Sequence, residues 1–160
     1  MRELTAGERK VLELHRKWRN GKEGGARANL SGAYLSGANL SGANLYGANL
    51  YGASFDSATR WPAPTALLLA SWGGVSDKLC LALMRYDCAN CPDGVARFAK
   101  WEKTGRCPYD GASFQRAANF YERRDLWKPG KALSALKLAE MLLAEMCVQV
   151  SKDSSVKAEG

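Results

Sequence analysis

Along residues 28–55 a large apolar side chain returns at every fifth position: Leu30, Leu35, Leu40, Leu45, Leu50 and Phe55. Alanine sits two residues before each. This period matches neither the helical repeat of about 3.6 residues nor the strand repeat of 2. A strict short period implies units stacked in space, because one unit cannot bury its own apolar side chain. The pattern suits a coil that turns a corner once per unit, with alanine and leucine inward and Asn, Ser, Tyr and Gly outward.

The flanks follow helical spacing instead. Residues 5–19 predict an amphipathic helix, with Thr5 and Glu8 at capping-box spacing and Val11, Leu12, Leu14, His15 and Trp18 clustered on one side. Asn20-Gly21 ends it, and its expected role is to cover the first end of the coil. Beyond Ala66, Ser76-Asp77 opens a helix carrying Leu79, Cys80, Leu83 and Met84 to about Cys88. Pro92 or Asp93 opens another, with Val95, Phe98 and Trp101 on one face. Residues 112–126 tend helical, and residues 131–150 form the clearest later helix, striped by Leu133, Leu136, Leu143, Met146 and Val150.

The repeat, A-(N/D)-L-x-x, resembles the pentapeptide-repeat family closely. The resemblance implies a right-handed, four-sided β-helix with one repeat per side. On that geometry Leu30 lies under Leu50 and Leu35 under Phe55, giving about one and a half turns. The next inward position would be Arg60, where the pattern stops, and residues 61–64, Trp-Pro-Ala-Pro, read as a stiff link. The expected fold class is therefore mixed α and β. A helical cap over 1–25 precedes a short quadrilateral β-helix over 26–60, a mainly α-helical region over 61–150 and a polar tail over 151–160.

Charge separates the coil from its flanks. The 160 residues carry a net charge of +7 and are 46% apolar. Residues 1–27 hold 8 basic and 4 acidic side chains, whereas residues 28–55 hold none of either sign. A basic balance favours nucleic acid or an acidic protein face. No apolar run approaches the roughly 18 residues needed to span a bilayer. Met1-Arg2-Glu3 leads into charged sequence unlike a secretory signal, which places the expected location in the cytoplasm. Five cysteines without an export signal point to reduced thiols or a metal rather than a disulfide framework.

Cys88 and Cys91 form a C-x2-C pair, with Cys80 before it and Cys107 beyond, a spacing that could supply four zinc ligands. The alternative is that the outlying cysteines are small buried hydrophobes. No other cofactor is implied. His15, the sole histidine, fits a packing or rim position better than a ligand or base. With no nucleotide-binding or nucleophile-elbow signature, catalysis finds little support and a small enzyme ranks third.

Two groups are candidate partner-binding residues. Arg116, Arg123, Arg124, Lys128 and Lys131 interleave with Phe120, Tyr121 and Trp127, a mixture suited to phosphate and base contacts or to an acidic protein groove. Tyr34, Tyr46 and Tyr51 project from otherwise small outer positions of the coil, where they either face a partner or pack under a neighbouring segment. DNA mimicry, the family's best-understood function, needs a long acidic rod. Here the residue before each Leu or Phe is Asn, Tyr or Ser, and six repeats give little length. The sequence from Leu14 through Ala33 resembles the head of many bacterial and bacteriophage members. The expectation is a non-enzymatic macromolecular interaction protein, specifically an inhibitor that binds a host or defence complex. A nucleic-acid-binding module is the alternative; no membrane is expected, and the oligomeric state stays open.

Overall fold

The computed structural model describes residues 2–90, the separate positions 96, 99, 100 and 103, and residues 123–158. Helix α1 spans Ala6–Arg19 and carries the predicted capping box, Thr5 accepting from the Glu8 N–H while the Glu8 carboxylate accepts from the Thr5 N–H. Arg2 grips that carboxylate with two guanidinium hydrogen bonds of 2.8 Å. The Arg2 bonds, helped by those from Thr5, hold the Glu8 carboxyl down at about 2. Gly25 passes so near the last turn of α1 that a Cβ there would lie 2.2 Å from the Trp18 nitrogen, so no other residue fits. The Ala26 N–H then donates to the Leu14 carbonyl at 3.0 Å, fastening the chain to α1 as the coil begins.

Each unit of the coil makes a turn closed from alanine back to the preceding leucine, as in Ala33 N–H to Leu30 C=O at 3.1 Å and Ala48 N–H to Leu45 C=O at 3.0 Å. Gly32, Gly37, Gly47 and Gly52 take φ between 66° and 69°, a conformation that costs other residues energy. Asparagine braces the corners: Asn29, Asn39, Asn44 and Asn49 accept from the backbone N–H two residues on. Leu30, Leu35, Leu40, Leu45 and Leu50 are all buried, as the inward register requires.

Stacking follows the expected spacing on the first two sides, with parallel bridges Asn29 to Asn49 and Tyr34 to Ser54. Among the described residues, however, there is no β-strand and no sheet, so the quadrilateral β-helix and the mixed α and β class do not hold. The reason is arithmetic: a five-residue unit that spends its corner residues on a turn leaves one residue per side to pair. The coil is a stack of turns joined by single-residue bridges, and helices are the regular elements.

The stack also runs past its predicted end. Arg60 bridges Asn39, and Arg60 N–H donates to Ala38 C=O at 2.9 Å. That is the pairing Ser54 makes with Ala33, so Arg60 occupies the outward position and Trp61 the inward one. One extra residue between Phe55 and Trp61 produces the shift. Thr59 is buried, its hydroxyl donating to Leu35 C=O at 2.9 Å. Helix α2, Pro64–Leu68, replaces the next side and buries Leu67 and Leu68. Ser71 then bridges Asn49, bringing Trp72 inward. Phe55, Trp61 and Trp72 meet edge to face, with centroids 5.1 to 6.0 Å apart.

Helix α3, Asp77–Asn90, begins at the expected place, where the Ser76 hydroxyl accepts from the Leu79 N–H at 3.2 Å. Ser76 is in turn held by Glu145 of helix α4, Ala135–Ala158, which packs on α2 and α3. The buried stripe of α4 is Leu138, Ala139, Leu142 and Met146; of the predicted stripe Met146 is buried, Leu143 is half-buried against the core, Leu133 and Leu136 are exposed, and the Val150 side chain lies outside those described. Ser134 accepts from the Lys137 N–H, so the helix starts after Leu133. Its backbone runs to Ala158, into the stretch read as a tail. The helix expected from Pro92 or Asp93 and the tendency over 112–126 lie largely outside the described residues. One hydrophobic core runs from Ala28 in the coil to Met146 in α4.

Candidate interaction surface

Tyr34 and Tyr51 lie on neighbouring positions of two successive layers. Tyr34 bridges Ser54, and the Gly32 N–H donates to the Tyr51 carbonyl at 2.9 Å. The two residues are 69% and 64% exposed, whereas Tyr46 and Phe55, the other aromatics of the coil, are half-buried. The Tyr34 backbone and the Tyr51 ring are each held. The Arg2 guanidinium donates to the Tyr34 carbonyl at 2.7 Å, and one edge of the Tyr51 ring rests against Gly73. A Cβ at Gly73 would fall 2.3 Å from the Tyr51 ring, and its φ of +83° also suits glycine alone. Asn29 and Asn49 stand beside them, joined by a 3.2 Å hydrogen bond. The surface is thus tyrosine set among serine and asparagine, with the Arg2–Glu8 ion pair beside Tyr34.

Tyr46 separates from the other two. The Arg19 guanidinium sits 3.9 Å over its ring centroid, so this tyrosine is half-buried beneath the end of α1. His15 is nearby and wholly buried, stacked on Trp18 at 5.3 Å. Its Nδ1 accepts from the Ala28 N–H at 3.0 Å, which fixes the ring as a neutral joint between α1 and the first repeat. Nε2 finds no partner in hydrogen-bonding geometry, although the Tyr46 backbone lies close enough to favour the protonated ring. Burial is the larger influence and lowers the His15 pKa, with Arg19 and Arg27 acting in the same direction. Sequence alone placed His15 in packing but did not reveal this bond; the signal missed was its position on the face of α1 that meets the coil.

The family model described as pentapeptide repeats (8 copies) matches residues 26–59. These residues are pentapeptide repeats. Such repeats are commonly protein-interaction modules, and the family is generally non-enzymatic. No curated protein and no solved structure matches the chain.

Away from the coil, the predicted basic group falls only in part among the described residues. Arg123 is engaged internally: its guanidinium donates to the Val75 carbonyl and pairs with Asp77 at the start of α3. Arg124 begins a single 3-10 turn, Arg124–Leu126. Lys128 and Lys131 are exposed, and the Lys128 carbonyl accepts from Arg85 at 3.0 Å. Arg116 and Tyr121 lie outside the described residues. Of the zinc candidates, Cys80 is a fully buried thiol whose pKa burial raises, and Cys88 is half-buried on the same helix. Cys91 and Cys107 fall outside the described residues. Among the described residues no cluster of three metal-ligating side chains forms, and no helix is long and apolar enough to cross a membrane.

Proposed function

We propose that this is a non-enzymatic interaction protein whose pentapeptide-repeat coil presents Tyr34 and Tyr51 to a protein partner. The observation that supports it is the pair of highly exposed tyrosines held on successive layers of the coil. Tyrosine offers a large contact area with little side-chain entropy to lose, and serine and asparagine around it supply adaptable hydrogen bonds. Residues 28–55 carry no charged side chain, and Arg2, the cation beside Tyr34, is already paired with Glu8, which disfavours phosphate recognition at this face. The likeness of the head segment to bacteriophage members extends the proposal to an inhibitor of a host or defence complex.

The test is capture of partners by the tagged protein from bacterial lysate, with and without nuclease, beside a Tyr34→Ser/Tyr51→Ser variant. A defined protein that survives nuclease and is lost with the variant is expected, since removing tyrosine anchors costs about 2 kcal/mol each, roughly 30-fold in affinity. Nucleic acid in the eluate, with co-captured proteins released on digestion, would overturn the reading.

A further inference from the structure

Arg2 shows how the lower edge of the first layer accepts a backbone. Its N–H donates to the Gly37 carbonyl at 2.7 Å and its carbonyl accepts from the Asn39 N–H at 3.2 Å, forming a parallel bridge. One repeat further along that edge, the equivalent groups are the Gly42 carbonyl and the Asn44 N–H. Both residues are exposed, and neither group has a hydrogen-bond partner among the described residues. A groove of about 440 Å³ opens between α1 and the coil, lined on the coil side by Asn39, Ser41, Gly42 and Ala43, up to the residue before Asn44. Leu4, Leu12 and Ala43 give it an apolar floor, and Arg9, Glu13 and Arg16 stand on its α1 wall.

The charges in this groove are not equivalent. Arg9 is tied to the Leu4 carbonyl, and Glu13 faces Lys17 at 3.7 Å. Arg16 is exposed and makes no ion pair among the described residues. With 8 basic and 4 acidic residues in 1–27, the local field is positive.

We propose that this groove docks an extended acidic peptide segment of a partner protein, whose backbone bridges Gly42 and Asn44 as Arg2 bridges Gly37 and Asn39. Main-chain hydrogen bonds supply affinity, an apolar peptide side chain settles on Leu4 and Leu12, and a carboxylate meets Arg16. The proposal rests on reading the chain as an interaction protein. It uses a surface other than Tyr34 and Tyr51, so either can fail alone.

The test is a titration of the full ¹⁵N-labelled chain, followed by amide NMR shifts. The probes are acetyl-Glu-Leu-Glu-Leu-Glu-amide, the same peptide N-methylated at both leucines, and acetyl-Lys-Leu-Lys-Leu-Lys-amide. Saturable movement of the Asn44 amide by the acidic peptide is expected. Arg16→Glu and backbone N-methylation should each weaken binding about tenfold or more. Tyr34→Ser/Tyr51→Ser should leave it unchanged. No saturation by about 1 mM, equal binding of the N-methylated or lysine peptide, or indifference to Arg16→Glu would overturn the proposal.

Discussion

The coil and the helices bury leucine by different rules. In the coil, burial follows from counting: every fifth position is inward, and Leu30 through Leu50 obey it without exception. In α4 it follows from what lies alongside, so Leu138 is wholly buried while Leu136, two residues away, is 60% exposed. A repeat names its own neighbour, the same position one layer on. An amphipathic helix records that it has a partner but not which of its apolar residues that partner covers.

Aspartate placed in each region should break this comparison most sharply. Leu40→Asp sets an unpaired charge in the stack and is expected to abolish the cooperative thermal transition followed by circular dichroism. Leu136→Asp, a similar change at an exposed helix position, should alter stability by no more than about 0.5 kcal/mol. A Leu40→Asp protein that still melts cooperatively would contradict the inward register.

The joint between α1 and the coil comes next. His15 is held neutral with its folded pKa below the ordinary 6.5, so the unfolded chain binds the proton more readily. Stability should therefore fall as pH drops below about 6.5, by up to about 1.4 kcal/mol per unit for one proton, and level off below the folded pKa. Denaturant midpoints measured from pH 7.5 to 5 check this. His15→Gln, which keeps an acceptor for Ala28, should flatten that part of the profile.

The smallest contrast lies within the coil. Gly32 and Gly42 both have open space where a Cβ would sit, but Gly32 has φ +66° and Gly42 is not in the left-handed region. Gly32→Ala is expected to cost about 1 kcal/mol, and Gly42→Ala to be neutral or stabilising by about 0.5 kcal/mol. Equal melting temperatures would show that the five corners are energetically alike.

The same contrast explains how much could be read in advance. The capping box at Thr5 and Glu8, the helix start at Ser76 and the inward leucines were legible because each signal is local and repeated or reciprocal. The β-helix was not, because a side one residue long cannot become a strand. Arg60 was misplaced for a different reason: one added residue near Thr59 shifts the register, and a strict period has no means of announcing an insertion. At the candidate surface the three tyrosines looked equivalent in sequence. Arg19 over Tyr46 and Gly73 under Tyr51 distinguish them, and both come from segments outside the repeat.

The bridge from Asn49 to Ser71 also bears on where this molecule can be divided. The repeats end at residue 59, but the winding continues through Trp72. A fragment cut at the last repeat would strip the Leu40 and Leu50 N–H groups of their acceptors at Arg60 and Ser71 and lose both tryptophans packed on Phe55. Transplanting the coil onto another protein therefore requires the seam after it, and the end of the motif is the wrong place for the scissors.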